Sequence, residues 1–387
     1  MSEGAVKSDG AVRDRIATLV AVFGFSLGLG MATIAVPLLA LSSGYDAAAV
    51  GLLTATSASS QLTTRLALPW LLGHFSDRTL IGAGAALMAS TFGLLLISTA
   101  APVFVGAQLL QGTARGVFWT TSQTHAIRAG GPPIERLVDM NLAGNAGTLT
   151  GPALAGVLAA AAMPLAIGAA GIAAALGLAG SVFLRRLPPF DRRQSAGTWR
   201  LLRREGVDVA SWASAMSGGW WAMLGSFIPV LFVAAGLGPS DIGWLVTASE
   251  AAGAVALLSL RGVVAERIPP AVRVSGAVVG IALAGIAVAP PGLVVYGVLL
   301  LVGGAASGAL VTLAPAMASL AAGSEEQGDA LALSGTFRAA ALLGAPAAAS
   351  GLLALTSVSG AVVIVAAALG LPGALLGRRG PRTLPIA

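Results

Sequence analysis

Residues 16–41 read IATLVAVFGFSLGLGMATIAVPLLAL, a run of 26 positions without one charged side chain. At 1.5 Å per residue such a run makes a helix of about 39 Å, longer than the roughly 30 Å hydrocarbon core of a bilayer. It also exceeds the apolar core of a signal peptide, and no small-residue cleavage site follows it. The stretch therefore predicts a membrane helix. The same test marks further segments at 47–72, 79–100, 102–124, 137–161, 163–184, 207–235, 240–261, 271–289, 292–316, 328–353 and 356–377. The expected fold is an all-α integral membrane protein with twelve transmembrane helices.

Composition points the same way. Of 387 residues, 56% are apolar and 10% charged, against about 25% charged in a soluble domain. The 52 glycines suit helices packed closely in lipid, where small residues let backbones approach. Cysteine is absent, which excludes disulfides and thiolate metal sites. Two histidines, His74 and His125, are too few for a His-based metal centre, and no metal or cofactor is expected. The only lysine is Lys7, so a phosphate loop with its lysine is absent and ATP hydrolysis on this chain supplies no energy. The net charge of +6 comes from arginines that punctuate apolar segments instead of forming a basic face, which argues against nucleic acid.

Those arginines set an orientation. Arg65, Arg115 and Arg338 fall deep inside apolar segments, whereas the other basic residues lie in the tails, the even-numbered loops and the stretch Arg185–Arg204. The opposite loops carry Asp46 and Asp241 but no Lys or Arg. By the positive-inside rule this predicts a multi-pass cell-membrane protein with both termini cytoplasmic.

The basic, Pro-Pro-containing stretch 185–206 reads as a cytoplasmic linker between an N-terminal six-helix half, 1–184, and a C-terminal one, 207–387. Its arginines are placed to touch anionic lipid headgroups. The halves repeat. Pro37, Gly44 and Gly51 recur as Pro229, Gly236 and Gly243, each shifted by 192; Gly73-x-x-x-Asp77-Arg78 recurs as Gly262-x-x-x-Glu266-Arg267; and Pro152 matches Pro346. One near-constant offset predicts two parallel six-helix repeats with a substrate site between them near the midplane.

Three motifs carry a resemblance. The loop after the second segment reads Gly73-His74-Phe75-Ser76-Asp77-Arg78, the fourth segment holds Gln108-Leu109-Leu110-Gln111-Gly112, and the fifth holds Gly147-x-x-x-Gly151-Pro152-Ala153-Leu154-Ala155-Gly156. Together they resemble the major facilitator superfamily over nearly the whole chain, and within it the twelve-helix drug:proton antiporter-type exporters. The resemblance implies a gate at Gly73, Asp77 and Arg78, in which the aspartate caps the start of the eleventh helix. It also implies an antiporter-like motif at Gly147, Gly151, Pro152 and Gly156, on a bent helix at the interface between halves. The chain departs from the pattern at Leu80, Ile81 and Gly82, where a glycine and a basic pair are usual, and at Gln108, where arginine is usual.

Ionisable side chains inside a membrane are costly, by at least about 2.5 kcal/mol on insertion scales, and mark function. Glu250 is the one carboxylate near the midplane and the candidate proton-coupling group. A permanent Glu250–arginine pair holding the protein together is the equal alternative. Polar stripes at helical spacing join Gln61 to Arg65 on the second segment and Gln108, Gln111, Arg115 and Trp119 on the fourth. With Asn141, Asn145, Arg338 and the mid-helix pair Trp220 and Trp221, these make a candidate substrate cavity; the tryptophans fit core packing as well. Three interior arginines against one glutamate disfavour a cationic substrate.

The function expected is secondary active transport by a monomer, as proton-coupled efflux of a small amphipathic neutral or anionic compound. The alternative is proton-coupled uptake of an anionic metabolite. A membrane-embedded enzyme or a sensor is the third reading, for which His74, Asp77 and His125 would be the candidates, in loops too short to house a site.

Overall fold

The computed structural model describes residues 3–129, 133–189, 198–204, 206–260, 265–322 and 326–376. Among them every regular element is helical. In chain order these are α1 (Glu3–Ser42), α2 (Ala47–His74), α3 (Asp77–Ile97), α4 (Ala101–Arg128), α5 (Pro133–Ala161), α6 (Met163–Val182), α7 (Val207–Leu224), α8 (Phe227–Ala234), α9 (Pro239–Ser259), α10 (Ile268–Val288), α11 (Leu293–Ala321), α12 (Gln327–Leu352) and α13 (Val358–Leu376). A short 3-10 turn, Thr198–Arg203, precedes α7. Much of the expected linker, 190–197 and 205, lies outside the described residues, as does Gly262 of the repeated motif.

Each apolar segment read from the sequence coincides with a helix, apart from 207–235. That segment is not one helix. It divides into α7 and α8, bent by 42° at Gly225–Ser226. Ser226 leaves the helical region, with φ −139° and ψ −82°, its hydroxyl turns back to the Ala222 carbonyl at 2.6 Å, and the Gly225 carbonyl accepts from Thr54 Oγ1 at 3.5 Å. A side-chain donor re-satisfying a freed carbonyl is what a break in an apolar medium requires. Six helices (α3, α6, α9, α10, α11 and Ala11–Ser42 of α1) are each long and apolar enough to cross a membrane, and the bent α7–α8 pair qualifies as a seventh.

The chain divides into two compact units, Met1–Gly44 with Thr56–Arg193, and Tyr45–Ala55 with Gln194–Ala387. In the first unit α1 packs against α5 and α6, and α3 against α4 and α6. In the second, α7 packs against α12, and α10 against α11 and α13, with α9 on α11. Gly44 and Gly236, 192 positions apart in the sequence, close α1 and follow α8 with positive φ, +89° and +82°. An L side chain is strained there, so glycine ends both elements.

The close crossings are built from glycine. An added Cβ on Gly147 would lie 2.7 Å from the Leu27 nitrogen and the Phe23 oxygen, and one on Gly151 would lie 2.6 Å from the Gly30 carbonyl carbon. The antiporter-like motif thus presses α5 onto α1 of its own unit. On α4, Gly112 meets Ser57 and Ser60, and Gly116 meets Gln61 and Thr64. In the second unit Gly253 of α9 meets Gly304 and Gly308 of α11, and Gly218 of α7 meets the Arg338 backbone of α12.

Candidate functional site

The first unit carries a buried ionic network where α1 begins, α3 begins, α4 ends and α6 ends. α4 holds 28 residues, about 42 Å, so its last turn projects past the apolar run 102–124. His125 sits in that turn with no exposure. Its Nε2 is 3.2 Å from Asp14 Oδ1 on α1, and its Nδ1 is 3.7 Å from Asp77 Oδ2 on α3. Both carboxylates are themselves buried, at 1% and 0% exposure.

Each acid has further partners. Arg128 donates through Nη1 to Asp77 Oδ1 and Oδ2 at 3.0 and 3.1 Å, and through Nη2 to the Pro188 carbonyl at 2.6 Å. Asp14 Oδ1 accepts the Arg185 backbone N–H at 2.7 Å, and Arg136 Nη1 stands 3.8 Å from Asp14 Oδ2. Burial opposes charge on His125, but hydrogen bonding and the charges of Asp14 and Asp77 outweigh it and raise its pKa above the ordinary histidine value. With a carboxylate facing each ring nitrogen, only the doubly protonated ring can donate to both.

This network revises the sequence reading of this end. His74 closes α2, Asp77 opens α3 and His125 lies within α4, so none of the three sits in a loop as expected. The described partners of Asp77 belong to its own unit, and the arginine it binds is Arg128. Asp14, His125, Arg128 and Arg136 were missed as network members. The available signal was a lone acid in Arg13-Asp14-Arg15 and the His125–Arg128 pair one turn apart.

Deeper in the first unit, Ser57, Gln61, Gln108, Gln111 and Ser122 are all buried. Gln61 Oε1, Gln108 Nε2, Arg65 Nε and the Ser26, Ser57 and Ser122 hydroxyls have no hydrogen-bond partner. Buried polar atoms are nearly always paired, so these side chains on α1, α2 and α4 have unused capacity to bind water or a polar ligand. Trp119 stands over Gly144 of α5. Asn141 and Asn145 are exposed on the unit. Arg115 engages neighbours of its own.

In the second unit Glu250 lies about halfway along α9, and Arg338 of α12 is the charge within its electrostatic reach. Arg338 is fixed at the α7–α12 crossing, where Gly218 abuts its backbone and Ser214 Oγ lies 2.5 Å from Ser334 Oγ. Trp220 is 1% exposed and its ring edge fills the place a Gly303 side chain would take. It packs the interior of the unit; Trp221 is partly exposed. Among the described residues no cluster of His, Asp and Glu is arranged to hold a metal ion.

The family model for the Major Facilitator Superfamily matches residues 18–346. The chain belongs to the Major Facilitator Superfamily. It is therefore a multi-pass membrane transporter and not an enzyme. No curated protein sequence matches it. Among solved structures, the nucleoside transporter NupG gives a TM-score of 0.75 at 13% identity, covering 95% of this chain and 99% of that one. A variant of NupG gives 0.78 at 12% identity over 94% and 99%. A POT family transporter in complex with a thioalcohol-conjugated peptide gives 0.72 at 10% identity over 94% and 95%. At such identities the likeness shows the facilitator fold.

Proposed function

We propose that this facilitator-family chain exports a small amphipathic neutral or anionic compound in exchange for protons, by alternating access. Glu250 carries the reading. It is a carboxylate halfway along a helix that passes the test for a membrane span, with Arg338 as its facing charge. An ionised Glu250 is stabilised by the guanidinium, whereas a protonated Glu250 releases it. A neutral or anionic substrate whose polar groups bind the ionised Glu250–Arg338 pair is released when a proton takes Glu250, so substrate and proton compete for one site, which is the requirement of exchange. In the first unit, the unpartnered polar atoms of Gln61, Arg65 and Gln108 are a separate capacity for a polar ligand.

The wider frame is part of the same proposal. Twelve spans form two parallel six-helix halves, 1–184 and 207–387, joined at 185–206, with both termini cytoplasmic and the monomer as the working unit. The helix partners in the two units and the left-handed glycines at Gly44 and Gly236 support the repeat. The small-residue contact of Gly147 and Gly151 with α1 supports the likeness to exporters.

Everted vesicles with a proton gradient, a pH-sensitive dye and a compound panel test the reading, with Glu250→Gln beside wild type. A compound that dissipates the gradient in wild type but not in Glu250→Gln supports antiport through Glu250. Equal responses in both return Glu250 to a structural ion pair. Gradient-driven movement of the compound in the opposite direction leaves the coupling and reverses export to uptake.

A further inference from the structure

A cavity of about 310 Å³ opens between the start of α3 and the end of α6, lined by Arg78, Thr79, Gly82, Ser181, Val182 and Arg186, with Ala83 beside them. At roughly 30 Å³ per water this is room for about ten water molecules. It is distinct from the Asp14–His125–Asp77 network and from the interior polar atoms of α2 and α4. The arginines differ from others at this end. Arg128 binds Asp77, Arg136 faces Asp14, Arg15 pairs with Asp139, and Arg13 lies over the Phe183 ring at 5.3 Å. Among the described residues neither Arg78 nor Arg186 has a carboxylate partner; Arg78 has only a long contact, 3.5 Å, to the Leu184 carbonyl.

Two guanidiniums without a counter-charge on one concave wall favour an anion with several oxygens. The N-terminus of α3 adds to that preference. The C-terminus of α6 opposes it, but its partial charge is about half a unit against two full charges. The floor is kept open by Gly82, where a Cβ would come within 3.0 Å of Ser181 Oγ. The rim identifies the occupant. Val182 and Phe183 are about half exposed, and along the same helix Leu176 and Ile172 are exposed at 45% and 74%. On a span of the membrane, such a face meets acyl chains. An ion from solution would gain nothing from it, whereas a phospholipid uses both the charged recess and the apolar strip.

We infer that this cavity is a binding site for the phosphate headgroup of an anionic glycerophospholipid, held between Arg78 and Arg186 with its acyl chains along α6. The site localises to one recess the attraction that basic loops exert on anionic membranes generally.

The test uses the full chain purified in detergent and reconstituted into nanodiscs of phosphatidylcholine with or without phosphatidylglycerol. Retained lipid is read by native mass spectrometry and thermal stability by tryptophan fluorescence. Wild type should retain phosphatidylglycerol over phosphatidylcholine by about tenfold, a preference of about 1.4 kcal/mol, and should melt several degrees higher with it. Arg78→Gln/Arg186→Gln and, separately, the charge-neutral filling change Gly82→Val should remove the preference. Arg200→Gln, an exposed arginine elsewhere, should retain it. Arg186→Gln alone, at an exposed position, guards against misfolding of the others and should reduce the preference severalfold. An unchanged preference in the double variant, an equal loss in Arg200→Gln, or displacement of the lipid by millimolar inorganic phosphate would each overturn the assignment.

Discussion

Replacing His125 should weaken the first unit in a pH-dependent way. The ring is fully buried and faces Asp14 at 3.2 Å and Asp77 at 3.7 Å. Removing one member of a buried ionic group costs about 3–5 kcal/mol, because the remaining charges stay behind without compensation. Asp77 keeps Arg128 and Asp14 keeps the Arg185 N–H, so His125→Ala belongs at the lower end, about 3 kcal/mol. With roughly 2–4 °C per kcal/mol for a unit of this size, the melting temperature should fall by about 6–12 °C. The sign with pH follows from the raised His125 pKa. A group whose folded pKa lies above its unfolded value stabilises fully below the unfolded value and loses that contribution as pH rises through the folded one. The gap between wild type and His125→Gln should therefore be largest below about pH 6.5, the unperturbed value, and should shrink as the pH is raised well above it. Intrinsic tryptophan fluorescence in detergent at several pH values between 5.5 and 9 measures it. A gap that is constant across that range, or that widens as pH rises, would refute a protonated His125 between two carboxylates.

Three further groups of substitutions test the packing. Gly151→Leu has no room, since even a Cβ would come within 2.6 Å of the α1 backbone; destabilisation by at least about 1–3 kcal/mol should appear as reduced yield and a lower melting temperature, and Gly168→Leu, with nothing near its Cβ, should be tolerated. Trp220→Ala should cost about 3–5 kcal/mol in the same melting assay, and Gly303→Ala combined with Trp220→Phe should be more stable than Gly303→Ala alone. Gly44→Ala and Gly236→Ala should each cost about 1–2 kcal/mol from backbone strain alone, because nothing lies within 4 Å of either Cβ; asparagine at either position should restore part of the loss.

The helices were legible in the sequence because an apolar helix in lipid is written in composition and length, which need no partner. The glycines at 44 and 236 stood out in the sequence for a similar reason, as chain conformation there demands glycine whatever surrounds it. The break at Gly225–Ser226 was not, since Gly-Ser inside an apolar run is compatible with an unbroken membrane helix and only the non-helical Ser226 backbone and the contact from Thr54 expose it. Trp220 carried two readings because helical position says which face a ring lies on, while its neighbour Gly303 is far along the chain. His125 was misread for a related reason. Hydropathy stops at about residue 124, but the helix continues to Arg128, and the acids that bury the ring come from α1 and α3.

The glycine crossings bear on how a proton could be used. Gly253 lies one turn after Glu250 and packs on Gly304 and Gly308, while Gly218 packs on the Arg338 backbone itself. Helices in such backbone contact cannot approach further, and separating them forfeits close packing, which in lipid is the main source of association. A change of charge at Glu250 therefore has little freedom to move α9 against α11 or α7 against α12 within the unit. The response left to it is side-chain: the Arg338 guanidinium can turn toward or away from the carboxylate while its backbone stays fixed. On the proposed exchange, proton and substrate compete for the Glu250–Arg338 pair within this rigid frame, and substituting Arg338 by lysine, which keeps the charge but not the paired donors, should weaken coupling more than it weakens folding. Proton movement per molecule transported, compared with the melting temperature of the same variant, separates the two; a parallel loss of both would place Arg338 in the scaffold instead.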